Sequence, residues 1–223
     1  RQYGADVISR IQAADEGKAK EMQDCIRDVL REGLACLTEG GKEPVERMVI
    51  GANTTMVHLL MGYPCHSLGV YPFTPCSTER IDTDGQALLG EAAEDFDVSV
   101  FPGVSAYIGG DITAGLYALD FHRKEEVSVL VDLGTNGEMA VGNKDRILAA
   151  SAAAGPAFEG GNIICGTGSI PGAISGARWN GQQMELQTIG GGAPVGICGT
   201  GIIEAVYEMM EAGILDETGR LEE

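Results

Sequence analysis

The chain has 223 residues, 44% of them hydrophobic, and sets 33 acidic against 15 basic residues for a net charge of −18. That apolar content suffices for a core in one large or two small domains, and no run is long and apolar enough to span a bilayer. The charge repels a nucleic-acid duplex and an anionic membrane at long range, which argues against both as partners and leaves any anion site to backbone N–H groups.

The sequence opens on "RQYGADVISRI", with a helical pattern already under way, no initiator Met and no signal peptide, and reads as a piece of something longer. Residues 16–38 place Met22, Ile26, Val29, Leu30, Leu34 and Leu37 on one face of a long helix, stopped at Gly40-Gly41. "ERMVIGAN" reads as a short buried strand, and "TTMVHLLMG" as a helix capped by Asn53, Thr54 or Thr55. His58 on that helix reads as a packed imidazole, with no carboxylate or serine beside it. From Pro64 to Pro102, prolines at 64, 72, 75 and 102 predict an irregular crossing segment, with "IDTDG" (81–85) as a solvated acidic turn. Beyond it, "GGDITAGLYALDF" predicts a helix and "EVSVLVDL", "GEMAVG" and "RILAAS" three strands. A glycine-rich stretch follows, then a strand at "MELQTIGG" and a glycine loop leading into the helix "GIIEAVYEMMEAGIL". Mixed strands and helices with glycine at their junctions make an α/β architecture. Six cysteines, at 25, 36, 65, 76, 165 and 198, form no CxxC pair and read as reduced, buried thiols of a cytoplasmic protein.

Four segments could carry chemistry. In "VDLGTNGE", a two-residue Asn-Gly turn between alternating strands is the commonest hairpin signal. Yet Asp132 closes a hydrophobic strand, where a carboxylate is costly unless paired, hydrated or near a metal. Gly134 and Gly137 bracket Thr135 and Asn136, so N–H groups and two short polar side chains can face phosphate oxygens, with Asp132 holding hydrated Mg²⁺ or orienting a water. The plain hairpin and the phosphate clamp both stay open. In "CGTGIIEAV", Gly199, Thr200 and Gly201 open a helix whose N–H groups and dipole favour an anion, with Glu204 complementing the dipole. Asp111, after Gly109-Gly110, is either an ordinary helix cap or a second carboxylate near a metal. Glu159, in "AAGPAFEGGNI", either belongs to a structural turn or reaches a ribose or a metal-bound water.

Taken in order, "RQYGADVISRI", "GANTTMVHLLMG", "FPGVSAYIGGDITAG", "VDLGTNGEMAVG", "SAAAGPAFEGGNI" and "GICGTGIIEAV" resemble the C-terminal ATPase region of the reductive activators of corrinoid-dependent enzymes, iron–sulfur proteins of anaerobic bacteria and archaea. The resemblance runs over nearly the whole chain. It implies a ribonuclease-H-like, actin-type fold that binds ATP between two lobes. Residues 1–100 would be the remainder of the first lobe with its crossing segment, and 101–223 the second lobe with a phosphate-binding hairpin. On this resemblance Asp132, Gly134, Thr135, Asn136 and Gly137 take phosphate and Mg²⁺ roles. The family couples ATP to electron transfer from a [2Fe–2S] cluster, in a ferredoxin-like domain, to cobalt(II) in a partner corrinoid protein, regenerating cobalt(I).

The same resemblance puts the cluster cysteines and the first phosphate hairpin before Arg1 and an adenosine segment after Glu223. None of the six cysteines is then a cluster ligand, and the chain by itself is expected to bind ATP weakly or not at all. Two other readings remain. One is a small-molecule kinase of the same superfamily. The other is a non-catalytic interaction or dimerisation module, since actin-like lobes make broad interfaces and the apolar face of 16–38 could serve a homodimer.

Overall fold

The computed structural model describes residues 3, 6–38, 44–91, 93, 95–134, 136–155 and 163–221. Contacts divide the chain into two units, Arg1–Asp132 with Glu138–Ser151, and Leu133–Gly137 with Ala152–Glu223. The boundary expected between residues 100 and 101 falls inside the first unit.

In the first unit, α1 (Val7–Ala13) opens on a reciprocal cap: Asp6 accepts the Ser9 N–H at 2.8 Å, and the Ser9 hydroxyl accepts the Asp6 N–H at 3.2 Å. A π-helical turn, Ala14–Lys18, holds Gly17 at φ 89° and leads into α2 (Ala19–Thr38). The helix predicted to start at residue 16 therefore starts past this turn. Its apolar face is also narrower than expected. Met22 is buried and Ile26, Leu30 and Leu34 pack on core clusters, a row spaced by four residues, whereas Val29 and Leu37 are 66% and 85% exposed. The stop expected at Gly40-Gly41 lies outside the described residues.

Strand β1 (Arg47–Ile50) leads to α3 (Thr54–Met61), where Asn53 accepts the Met56 N–H at 2.9 Å and Gly62 closes the helix at φ 73°. Helix α3 stands between two hydrophobic clusters: Leu59 joins Ile11, Met22, Cys65 and Leu68, and Leu60 joins Leu88, Leu89, Phe96 and Val98.

The crossing segment is more ordered than its prolines suggest. It holds α4 (His66–Gly69), β2 (Ile81–Asp84), α5 (Gly85–Leu89) and β3 (Asp97–Val100). The sheet order is β1-β3-β2, with β1 parallel and β2 antiparallel to β3. The stretch "IDTDG" is thus a strand and not a turn. Its alternation sets Ile81 and Thr83 half-buried and Asp82 and Asp84 outward. Asp82 accepts the Ser99 hydroxyl at 2.7 Å, and Asp84 caps α5 through the Ala87 N–H at 2.7 Å.

Helix α6 (Gly110–Ala118) starts against the start of α3 with no side chain between them. A Cβ on Gly109 would lie 2.6 Å from Asn53 Cα, and the Asp111 N–H donates to the Ala52 carbonyl at 3.2 Å. Strands β4 (Ser128–Leu133), β5 (Asn136–Gly142) and β6 (Ile147–Ala153) form a sheet in that order.

The second unit holds β7 (Ala173–Trp179), β8 (Met184–Thr188), β9 (Gly196–Ile197) and α7 (Gly199–Glu211), with sheet order β8-β7-β9. β7 pairs antiparallel with β8 and, for two residues only, parallel with β9. β7 lies in the glycine-rich stretch that carried no strand signal. Of the six cysteines, Cys65 and Cys198 are buried as expected, but Cys25, Cys36, Cys76 and Cys165 are exposed; all six are free thiols.

His58 is packed, as its sequence context suggests, with 0% exposure. Nδ1 lies 2.8 Å from the Thr54 carbonyl, and Nε2 accepts the Cys76 N–H at 2.9 Å. The two partners require a neutral ring with its proton on Nδ1. Burial pushes the imidazole below its ordinary value of 6.5, against the opposing pull of the Thr54 carbonyl. A depressed folded-state value means that the stabilisation is complete above 6.5 and is lost as pH falls below it. Denaturant unfolding should therefore show stability dropping between pH 7.5 and pH 5.5. His58→Gln should be less stable at neutral pH and flatter across that interval; equal slopes would assign the pH dependence to another group.

Candidate functional site

The hairpin ends β4 at Leu133 and begins β5 at Asn136, with Gly134 following β4. Asn136 and Gly137, read from the sequence as the turn, are the first residues of β5, and Gly137 is buried in that strand. Thr135 lies outside the described residues. The Gly134 N–H donates to the Asn136 carbonyl at 2.9 Å, so in this conformation that donor is spent within the tip and a phosphate would have to displace it.

Asp132 is exposed, and among the described residues its carboxylate makes no hydrogen bond or ion pair. The desolvation cost that singled it out is therefore not incurred here. Val131 and Leu133 beside it are also open, at 50% and 66%. What remains is an exposed carboxylate on the penultimate residue of β4, two residues before Gly134, the hard-oxygen donor that a hydrated Mg²⁺ takes.

Helix α7 begins at Gly199 with Cys198 as the flanking residue; Gly199 and Gly201 are buried and Thr200 is exposed. A Cβ on Gly201 would lie 2.2 Å from the Ile174 carbonyl, so glycine is required there for the helix start to sit on β7. Burial pushes the Cys198 thiol up. The N–H groups of Gly201 and Thr200 and the Ser169 hydroxyl outweigh it and hold the thiol below its ordinary value. The start of α7 thus favours a negative charge, and the sulfur meets the same N–H groups that a phosphate oxygen would use.

Asp111 is the second residue of α6 and Gly109 its cap; the Asp111 carboxylate accepts the adjacent Ile112 N–H at 2.9 Å. It is therefore neither the helix cap expected nor, among the described residues, part of a cluster of three or more His, Cys, Asp or Glu able to hold a metal. Glu159 lies outside the described residues. The tip Leu133–Gly137 and the start of α7 both belong to the second unit.

Sequence reasoning missed the role of two glutamates. Glu204 lies in the second turn of α7, not the first, and its carboxylate accepts the Ala177 N–H at 3.1 Å; Glu208 accepts the Trp179 N–H at 2.7 Å. β9 covers β7 only as far as Ile174, so these two edge donors face no strand. Two residues along a strand span about 6.6 Å and four along a helix about 6 Å, so an i, i+4 glutamate pair matches the N–H groups at i and i+2 of the edge. The cue was present in the E-x-x-x-E spacing but had no meaning until β7 was placed.

Family models match along the whole chain: residues 1–124 match the RACo middle region, and residues 126–223 the C-terminal domain of RACo, the ASKHA domain. The chain is 32% identical over 222 residues to the corrinoid activation enzyme RamQ of Eubacterium limosum, covering 97% of this chain and 37% of that protein. It is 34% identical over 147 residues to the [Co(II) methylated amine-specific corrinoid protein] reductase of Methanosarcina barkeri, covering 56% of this chain and 27% of that protein. A solved structure, the reductive activator for corrinoid,iron-sulfur protein, superimposes with TM-score 0.82 at 33% identity, over 99% of this chain and 36% of the other. The chain therefore spans little more than a third of the length of these relatives.

The glutamate contacts carry their own test. Glu208→Ala should speed amide exchange at Trp179 by about tenfold, the scale of one charge-assisted bond, while Glu211→Ala leaves it unchanged. Equal exchange in both variants would mean that the carboxylate does not hold the edge.

These matches bear out the actin-type α/β fold expected from the sequence, and the chain belongs to the RACo family of reductive activators of corrinoid proteins, matching its middle region and its C-terminal ASKHA domain.

Proposed function

We propose that the chain is part of an ATP-dependent reductive activator, which returns the cobalt(II) of a partner corrinoid protein to cobalt(I). The electron would come from a [2Fe–2S] cluster carried elsewhere in the parent polypeptide, which is oxidised by one electron for each cobalt reduced. The observation that carries this reading is the superposition on a reductive activator over 99% of the chain. The activities for which the Eubacterium and Methanosarcina relatives are named, corrinoid activation and corrinoid-protein reduction, support the same partner.

The residues present fit a Mg-nucleotide. Asp132 would hold Mg²⁺ through water. Gly134, Thr135, Asn136 and Gly137 would lie along the phosphates at the hairpin tip, and Gly199, Thr200 and Gly201 would offer N–H groups where the lowered Cys198 thiol marks a field that favours an anion. Asp111 and Glu159 remain second-tier candidates. Bound ATP would supply the free energy that favours one arrangement of the parent over another. Because that preference is a difference in affinity between two states, residues that grip phosphate in only one of them set the coupling. The Gly134 N–H, engaged by Asn136 in this conformation, is such a residue.

The test uses the full-length parent with a cobalt(II) corrinoid protein, a reductant and Mg-ATP, followed by visible spectroscopy. Wild type should generate cobalt(I) only with ATP, and Asp132→Ala should slow its appearance by about 10–100-fold, as loss of a water-mediated metal contact does. Chelation of Mg²⁺ should have the same effect on wild type. ATP-driven cobalt(I) at full rate in Asp132→Ala would remove this residue from the site. No cobalt(I) with any corrinoid protein would overturn the function.

A further inference from the structure

We propose that the exposed aromatic surface formed by Tyr71, Phe73 and Tyr107 in the first unit is where the corrinoid protein docks, an inference that rests on the function proposed above.

The crossing segment turns three aromatic rings outward. Phe73 packs edge-on to Tyr71 with centroids 6.1 Å apart and lies 5.5 Å from Tyr107. Tyr71 is 83% exposed, Tyr107 45% and Phe73 36%, and Val70 and Val104 on the same two loops are 50% and 62% exposed. In a chain with only 12 aromatic residues, five Phe, six Tyr and one Trp, grouping three of them at the surface is a concentrated use of a scarce side chain.

The cluster is held in place. Phe73 adopts a left-handed backbone at φ 58°, a conformation that bulky residues rarely take and that surrounding contacts must enforce. The Phe73 N–H donates to the Val70 carbonyl at 2.8 Å. Three residues on, the Cys76 N–H is anchored by the buried His58 ring, and the far loop is tied by the Val104 N–H to the Ile108 carbonyl at 2.8 Å. An aromatic patch whose central residue is held outward in a left-handed backbone conformation has the preorganisation of a binding surface.

Charge distribution and size identify the occupant. No Asp, Glu, Lys or Arg occurs from Gly62 to Thr78 or from Val98 to Gly110, although the chain as a whole carries 33 acidic residues. Apart from Asp15, whose carboxylate bonds His66 at 2.8 Å, these two stretches bring no charge of their own to a strongly acidic protein, so another protein can approach them with little like-charge repulsion. At about 200 Å² per ring, the open aromatic area comes to about 300 Å². A standing homodimer needs roughly 800 Å² on each side, whereas encounters between redox partners are smaller and short-lived. The area therefore matches a transient protein partner with an apolar contact face, the kind of encounter an electron-transfer protein makes, with tyrosines as its anchors.

The experiment compares full-length wild type with Tyr71→Ser/Tyr107→Ser and with Tyr71→Phe, measuring affinity for a cobalt(II) corrinoid protein, affinity for ATP and elution volume in size exclusion. The double variant should bind the corrinoid protein at least tenfold more weakly, with ATP affinity and elution volume unchanged, and Tyr71→Phe should bind as wild type. Unchanged corrinoid affinity in the double variant overturns the docking surface while leaving the proposed function intact. A shift to a smaller assembly would show that a second copy of the chain occupies the patch, and this also overturns it. Wild type that binds no corrinoid protein sinks the function itself, and the surface with it.

Discussion

Two helix starts in this protein lie against main chain so closely that only hydrogen fits at the contact. Gly109 presses α6 onto the beginning of α3, and Gly201 presses α7 onto Ile174 of β7. Each contact replaces a layer of side chains with backbone against backbone. The result concentrates N–H groups at the ends of strands, where the fold has polar donors without a single lysine or arginine to supply charge. For a chain of net charge −18 this is one route to an anion site that needs no basic side chain. The same closeness explains why β9 can be only two residues long. Helix α7 arrives at the strand edge directly after it, and the glutamates Glu204 and Glu208 take the place of the carbonyls that a longer strand would have offered.

Much of this was legible in the sequence where one signal dominated. Asn53 capping α3, the three strands from Ser128 to Ala153 and the helix after Cys198 all follow from periodicity and punctuation that act over a few residues. The failures have a common cause, since each depended on a partner distant in sequence. Proline density hid β2 and β3, yet the prolines fall in the loops while the alternation of Ile81 and Thr83 makes the strand. Strand β7 was invisible because its glycine, Gly176, is there to admit the Glu204 carboxylate and Gln187. The tip of the hairpin shifted because Asn136 and Gly137 are the first residues of β5.

The candidate site was legible in outline only. The sequence singled out a hairpin tip and a helix start as segments for an anion, but its argument for Asp132 rested on burial, and Asp132 is exposed. An exposed carboxylate suits a hydrated cation better than a desolvated one would, because Mg²⁺ keeps most of its water. Cys198 gave no sequence signal at all. The N–H groups of Thr200 and Gly201 that help hold its thiol below the ordinary value belong to a helix start, which favours negative charge.

The most direct measurement is amide hydrogen exchange of the full-length parent with and without Mg-ATP. The account predicts slower exchange at residues 133–137 and 199–202 when the nucleotide binds, because those N–H groups exchange a weak or internal partner for phosphate oxygen. ATP binding that leaves both segments exchanging at their original rates would contradict it, and would place the phosphates elsewhere in the parent protein.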